Sequence, residues 1–148
     1  MPQLPDLEPL AARLRGYQLP GGEYTISAAE RSTVAALNEP LDTDPHPIFC
    51  CISSLKSLGV SIGELCTLCE FNLTDGPLLG ECAVVFERAF REGIRYTCSA
   101  TIESFERSRS LRHGVLDRLR FTVFIDEPQL GRVATVRYLW LLPRGRVS

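Results

Sequence analysis

Hydrophobic residues recur at every second position through the second half of the chain. This alternation is typical of antiparallel strands that bury one face. Residues 133–142 are apolar almost throughout, which predicts a strand covered on both faces. Residues 106–113 are charged and precede Gly114, so we predict a hairpin connection there. The alternating residues form three sets: Cys82, Val84 and Phe86; Ile94, Tyr96, Cys98, Ala100 and Ile102; and Val115, Leu119, Phe121, Val123 and Ile125.

The first 40 residues predict two helices and a strand. Leu7, Leu10 and Leu14 share one helical face before Gly16, which indicates a short amphipathic helix acting as a lid or arm. Residues 23–26 alternate polar with apolar and predict a first strand. Residues 27–30 have capping-box spacing and predict a helix that ends before Pro40.

Residues 46–71 contain the longest helix-like run, and the rest of the chain is organised around it. The run begins with Pro47, a residue favoured at the first helical position, and is interrupted at Gly59. Residues 61–64 have the spacing of a capping box, so a second helix restarts there with backbone amides free near Gly63. Such amides can polarise a carbonyl oxygen, although an ordinary buried helix has the same pattern.

The order of these elements predicts an α+β fold. One strand, several helices and four long meandering strands indicate an antiparallel sheet of about five strands wrapped around a central helix. A chain of 148 residues fits a single domain, with residues 1–22 as an N-terminal arm that carries the short helix.

Composition excludes several function classes. The net charge of −2 lacks the basic surface that nucleic acids require. No apolar run reaches the roughly 18–20 residues of a membrane span. The first ten residues lack the features of a signal peptide, which predicts a cytoplasmic protein.

The six cysteines lie within apolar runs, which predicts reduced, buried thiols. Cys66 and Cys69 have CxxC spacing but supply only half of a tetrahedral metal site. No motif indicates a metal, nucleotide or flavin, so we expect no cofactor.

The polar loop of residues 38–46 is dense in groups that can transfer protons. It contains Asp42, Asp44 and His46. An ordinary solvated loop that leads into a helix would also have this composition. Glu64 is a further carboxylate near Gly63, and its pairing with Ser61 in a capping box already explains its presence.

Several short motifs in order resemble the MaoC-like hydratase/dehydratase family, in particular its divergent dehydratase-like N-terminal domains. The resemblance covers about residues 24–144. It rests on residues 41–46 (Leu-Asp-Thr-Asp-Pro-His), Gly59, Gly63, Gly80-Glu81, Glu92-Gly93, the basic segment 107–114 and Gly131. It implies a hotdog fold that acts on acyl thioesters of coenzyme A or acyl carrier protein, as a homodimer or paired with another hotdog subunit.

The resemblance also implies roles for individual residues. Asp42 and His46 would transfer the protons of hydration or dehydration, and the Gly63 amide would hold the thioester oxygen. In this chain three residues separate Asp42 from His46, one fewer than in the family pattern, and Asp44 replaces an asparagine. Two alternatives are a hotdog thioesterase that uses Glu64 or an aspartate, and a non-catalytic subunit of a heteromeric dehydratase.

Overall fold

A computed structural model describes residues 3–37 and 48–145. In this part of the chain, five strands form one antiparallel sheet in the order β1-β3-β4-β5-β2, accompanied by four α-helices. The strands are β1 (Gln18–Thr25), β2 (Leu78–Phe86), β3 (Arg95–Ser110), β4 (Gly114–Glu127) and β5 (Gly131–Gly145). The helices are α1 (Leu7–Leu14), α2 (Ala28–Leu37), α3 (Phe49–Lys56) and α4 (Ile62–Leu68). The predicted α+β class and the five-stranded antiparallel sheet are confirmed.

The alternating pattern identifies the buried face of the central strands correctly. Tyr96, Cys98, Ala100 and Ile102 of β3 are all buried. On the same sheet, Phe121 of β4 lies opposite Tyr138 of β5, and their rings stack with centroids 5.0 Å apart. These side chains belong to one hydrophobic core.

The predicted hairpin before Gly114 is confirmed, but its connection is shorter than residues 106–113, because β3 continues to Ser110 and only residues 111–113 form the turn. Arg107 lies opposite Asp117 on β4, and the two side chains form a salt bridge of 2.7 Å. Three of the charged residues that suggested a loop, Glu106, Arg107 and Arg109, therefore belong to β3, where the charge of Arg107 is paired across the sheet.

The predicted meander of four strands is also wrong for β2. Only β3, β4 and β5 follow one another in the sheet, whereas β2 pairs with β5 at one edge. Because β1 and β4 occupy the two sides of β3, β3 has no free edge at which β2 could pair.

The described part of the helix-like run of residues 46–71 forms two short helices, α3 and α4, as the predicted interruption at Gly59 implies. α3 packs against β4 and β5 and buries Phe49, Cys50, Ser53 and Ser54. The chain then turns at Gly59, which has φ 78°. A Cβ at Gly59 would lie 2.5 Å from the carbonyl oxygen of Gly21 in β1, so only glycine allows this close approach. The break predicted at Gly59 is therefore fixed by contact with β1.

The predicted N-terminal arm is packed against the sheet. Leu10 and Leu14 of α1 are buried, and α1 contacts β3. The backbone N–H of Gly16 donates to the carbonyl oxygen of Ile102 over 2.8 Å. Helix α1 is thus part of the core. By contrast, α2 has no buried residue.

The edge of the sheet formed by β2, which we call the β2 edge, is strongly apolar. Leu79 is 64% exposed and Val85 is 57% exposed, and Glu81 is the only charged residue among the nine of β2. The opposite edge is partly covered, because Gly21 of β1 donates a backbone hydrogen bond to Leu58. Among the described residues, no strand pairs with the outer side of β2.

Candidate functional site

Three of the predicted site residues cannot be placed. Asp42, Asp44 and His46 lie outside the described residues. The described chain resumes at Ile48, directly before α3. Their predicted roles in proton transfer therefore stay predictions.

The start of α4 has the local geometry that its sequence predicts. The N–H of Glu64 donates to Ser61 Oγ over 3.0 Å, and the N–H of Ser61 donates to Glu64 Oε1 over 3.2 Å. This reciprocal pair is a complete capping box. Gly63 is the second residue of α4, and a Cβ added there would meet the Leu73 side chain at an ordinary 3.6 Å.

Loss of this cap gives a measurable prediction. We expect Ser61→Ala to lower the free energy of unfolding by about 1 kcal/mol, because the N–H of Glu64 loses its acceptor. Chemical denaturation followed by circular dichroism measures this change. Ser27→Ala is the matched control, since Ser27 accepts from the N–H of Glu30 in the same way but caps α2, which buries no residue. An equal loss in both variants would contradict the prediction.

Glu64 also lines an open groove between α1 and α4. The groove has a volume of about 700 Å³ and is lined by both apolar and charged side chains. Its apolar part comes from Tyr17, Val60 and Leu68, and its charged part includes Arg13 and Glu70, which lie 3.5 Å apart. A carboxylate thus lies at a surface that could accept a small molecule, while the capping box restrains its orientation.

Arginine side chains hold the far end of α4. Arg13 donates to the carbonyl oxygen of Leu68 over 2.9 Å. Arg144 donates to the carbonyl oxygen of Cys69 over 2.6 Å and also to that of Glu70. Because the last carbonyl groups of a helix lack partners within the helix, these bonds stabilise the C-terminus of α4.

A buried carboxylate positions Arg144 and a second arginine, Arg107. Asp117 is fully buried and accepts from Arg107 Nε over 2.7 Å and from Arg144 Nε over 2.8 Å. Arg107 also donates to the carbonyl oxygen of Pro5, just before α1. We call Arg107, Asp117 and Arg144 the buried charge network. It links the sheet to both helices that line the groove.

A second polar cluster, which sequence reasoning did not single out, lies between α3 and the sheet. The hydroxyl groups of Ser54 and Tyr138 are 2.6 Å apart and share a hydrogen bond. Burial raises the pKa of Tyr138 above its usual value. Nearby, the sulfur atoms of Cys51 and Cys82 are 3.9 Å apart. The available signal was the pair of serines, Ser53 and Ser54, in the largely apolar helix-like run.

The candidate side chains of the basic segment lie at the β3–β4 end of the sheet. Arg109 and Arg112 are exposed at the β3–β4 turn, and His113 is half-buried there, with its N–H donating to Ser110 Oγ over 3.3 Å.

The prediction of buried thiols is wrong for Cys82, which is exposed, and Cys51 is half-buried. Cys66 and Cys69 are buried, and burial raises the pKa of each thiol, that of Cys69 to about 12.

Within residues 3–37 and 48–145, no three histidine, cysteine or acidic side chains are placed to hold a metal ion. In the same part of the chain, none of the helices has the length and hydrophobicity to span a membrane.

Comparison with solved structures identifies the architecture. Neither any protein-family model nor any curated protein matches the sequence. A MaoC-like dehydratase matches 94% of this chain and 44% of its own, with a TM-score of 0.64 and 14% identity. The F36A mutant of the fluoroacetyl-CoA-specific thioesterase FlK matches 87% of both chains, with a TM-score of 0.58 and 12% identity. The truncated HadBC (3R-hydroxyacyl-ACP dehydratase) complex from Mycobacterium tuberculosis matches 86% of this chain and 96% of its own, with a TM-score of 0.54 and 14% identity.

At sequence identities this low, the structural likeness shows the fold alone, because one fold can host many reactions. The strand order, the face covered by α3 and these three likenesses agree with one another. The chain has the hotdog fold.

Proposed function

We propose that this protein hydrates an enoyl thioester, or dehydrates a 3-hydroxyacyl thioester, carried on coenzyme A or an acyl carrier protein. One observation carries the proposal: a chain with the fold of a MaoC-like dehydratase has Asp42 and His46 in the ten residues before α3. The likeness to a 3R-hydroxyacyl-ACP dehydratase complex supports the same class of reaction.

The reaction needs three groups. A base activates water, an acid protonates the α-carbon, and a hydrogen-bond donor stabilises the charge on the thioester oxygen. We assign the proton transfers to Asp42 and His46. We assign the hydrogen bond to the thioester oxygen to the backbone N–H of Gly63. The first N–H groups of a helix have no carbonyl acceptor within the helix, and Gly63 is the second residue of α4. The thiol carrier belongs to the substrate, so the proposal includes no bound cofactor.

The direct test is hydration of crotonyl-CoA. With purified protein we expect the enoyl absorbance to fall in proportion to enzyme concentration, and 3-hydroxybutyryl-CoA to appear by mass spectrometry. Free coenzyme A, measured in the same reaction with a thiol reagent, should stay constant. Loss of absorbance without the hydroxyacyl product, or no loss with either crotonyl-CoA or a crotonyl carrier protein, would contradict the proposal.

A thioesterase is the second candidate, and the placement of Glu64 favours it. This carboxylate lines the groove between α1 and α4, and the fold resembles that of a fluoroacetyl-CoA-specific thioesterase. Glu64, or an aspartate such as Asp44, would then activate water for attack on the thioester carbonyl. Release of free thiol from acyl-CoA, lost in Glu64→Gln, would establish this alternative.

A partner subunit is the third element of the proposal. The β2 edge exposes apolar side chains, and no strand within residues 3–37 and 48–145 pairs with its outer side, which favours pairing with another chain. We propose a homodimer or a pair with a second hotdog subunit. If neither assay detects activity and the chain forms a tight hetero-oligomer on co-expression with such a subunit, its role is that of a non-catalytic partner.

The state of the cysteines supports a cytoplasmic location. All six are free thiols, as is usual for proteins of reducing compartments.

A further inference from the structure

Two cysteines from different elements meet beside the edge of the sheet. Cys51 lies on α3 and Cys82 on β2, 31 residues apart in sequence. Their sulfur atoms are 3.9 Å apart, which is van der Waals contact between thiols. Cys82 is exposed and Cys51 is half-buried, so a small oxidant can reach the pair.

The geometry selects this pair over the neighbouring thiol of Cys50. The sulfur of Cys50 lies 3.8 Å from the sulfur of Cys51. Consecutive Cα atoms are about 3.8 Å apart across a trans peptide, whereas the Cα atoms of a disulfide are usually about 4.4–6.8 Å apart. Cys50 is also only 3% exposed. Oxidation of Cys51 should therefore join it to Cys82.

We propose that Cys51 and Cys82 form a reversible disulfide that joins α3 to β2 when the protein meets a peroxide. In the first step, one thiolate attacks a peroxide oxygen, an S–O bond forms and the O–O bond breaks. The departing hydroxide takes up the proton that the thiol had released, so the products are a sulfenic acid and water. In the second step, the other thiolate attacks the sulfenic sulfur, and a second water leaves. Two thiols lose two electrons, and one hydrogen peroxide is reduced to two water molecules.

This inference goes beyond the proposed function and does not depend on it. Disulfides in reducing compartments are usually transient and redox-sensing. The bond would fix β2, one of the two edge strands of the described sheet, to α3.

The environment of the thiols predicts how the reaction depends on pH. Partial desolvation by the surrounding residues and the neighbouring Cys51 raise the pKa of the exposed Cys82 to about 11, and a hydrogen bond from the Tyr138 hydroxyl lowers it in part. Burial and Cys51 raise the pKa of Cys50 to about 12. Since the thiolate is the reactive form, the initial oxidation rate should increase from pH 7 to pH 9.

The experiment uses the full-length reduced protein and hydrogen peroxide. Before alkylation, we expect a product two hydrogens lighter than the reduced protein. After alkylation of the remaining thiols, it should carry four alkyl groups instead of six, with one crosslink between the Cys51 and Cys82 peptides that dithiothreitol reverses. Closing a loop of this length should raise Tm by about 5–15 °C relative to the reduced protein.

Single variants provide the controls. Cys50→Ser should keep the crosslink, whereas Cys51→Ser and Cys82→Ser should each lose it and the rise in Tm. Circular dichroism of each reduced variant checks that it folds. A Cys50–Cys51 crosslink, an intermolecular crosslink alone, or oxidation that stops at separate sulfinic acids would overturn the proposal.

Discussion

Asp117→Ala is expected to lower the free energy of unfolding by about 3–5 kcal/mol. Asp117 is fully buried and accepts hydrogen bonds from Arg107 and Arg144. Its removal leaves two guanidinium groups largely inside the protein without their counter-charge, and the desolvation of those charges is then uncompensated. Urea denaturation followed by tryptophan fluorescence measures the loss, since Trp140 lies on β5 in the core.

Asp126→Ala is the matched control for this prediction. Asp126 is also on β4 and forms a salt bridge of 2.6 Å with Arg132, but both side chains are more than one-third exposed. Exposed ion pairs contribute about 0–1 kcal/mol, so this variant should remain close to the parent protein. Similar losses in the two variants would show that the buried charge network has no special role.

The largest effect on activity is expected at His46. We expect His46→Ala to lower kcat/KM for crotonyl-CoA hydration by about 10²–10⁴, because general acid–base catalysis contributes that much to such rates. Tm should change little. Initial rates at several substrate concentrations, measured beside a thermal melt, separate loss of chemistry from loss of structure.

His113→Ala is the natural comparison, because His113 is the only other histidine in the sequence. It lies in the turn between β3 and β4, and its backbone N–H binds Ser110. This variant should retain parent activity. Unchanged turnover in His46→Ala would remove His46 from the mechanism, and the role assigned to Asp42 would then need its own test with Asp42→Asn.

Local patterns in the sequence predict much of this fold. Alternation identifies the buried apolar residues of β3 from Tyr96 to Ile102 and five of those in β4, because one face of each strand packs on the core. It misses Leu116 and Thr122, which are buried outside that alternation. The spacing of Ser61 and Glu64 predicts the start of α4, because a capping box is a contact between residues three positions apart.

The remaining features depend on contacts between distant residues. The end of β3 was missed because the charge of Arg107 is neutralised by Asp117 and its side chain also binds the carbonyl oxygen of Pro5. Both partners are too distant in sequence for a local pattern to reveal them. The position of β2 was missed because its partner, β5, lies some 50 residues further along the chain. For the candidate site, the sequence predicts the local geometry of Gly63 and Glu64, and the roles of Asp42, Asp44 and His46 stay predictions.

The β2 edge has a practical consequence for anyone who produces this protein. Nine consecutive residues with one charge and no proline match the composition of segments that seed intermolecular β-sheet. A chain made without a companion that covers this strand should therefore precipitate as its concentration rises. The yield of dispersed protein should improve when a companion that covers this strand is synthesised in the same cell.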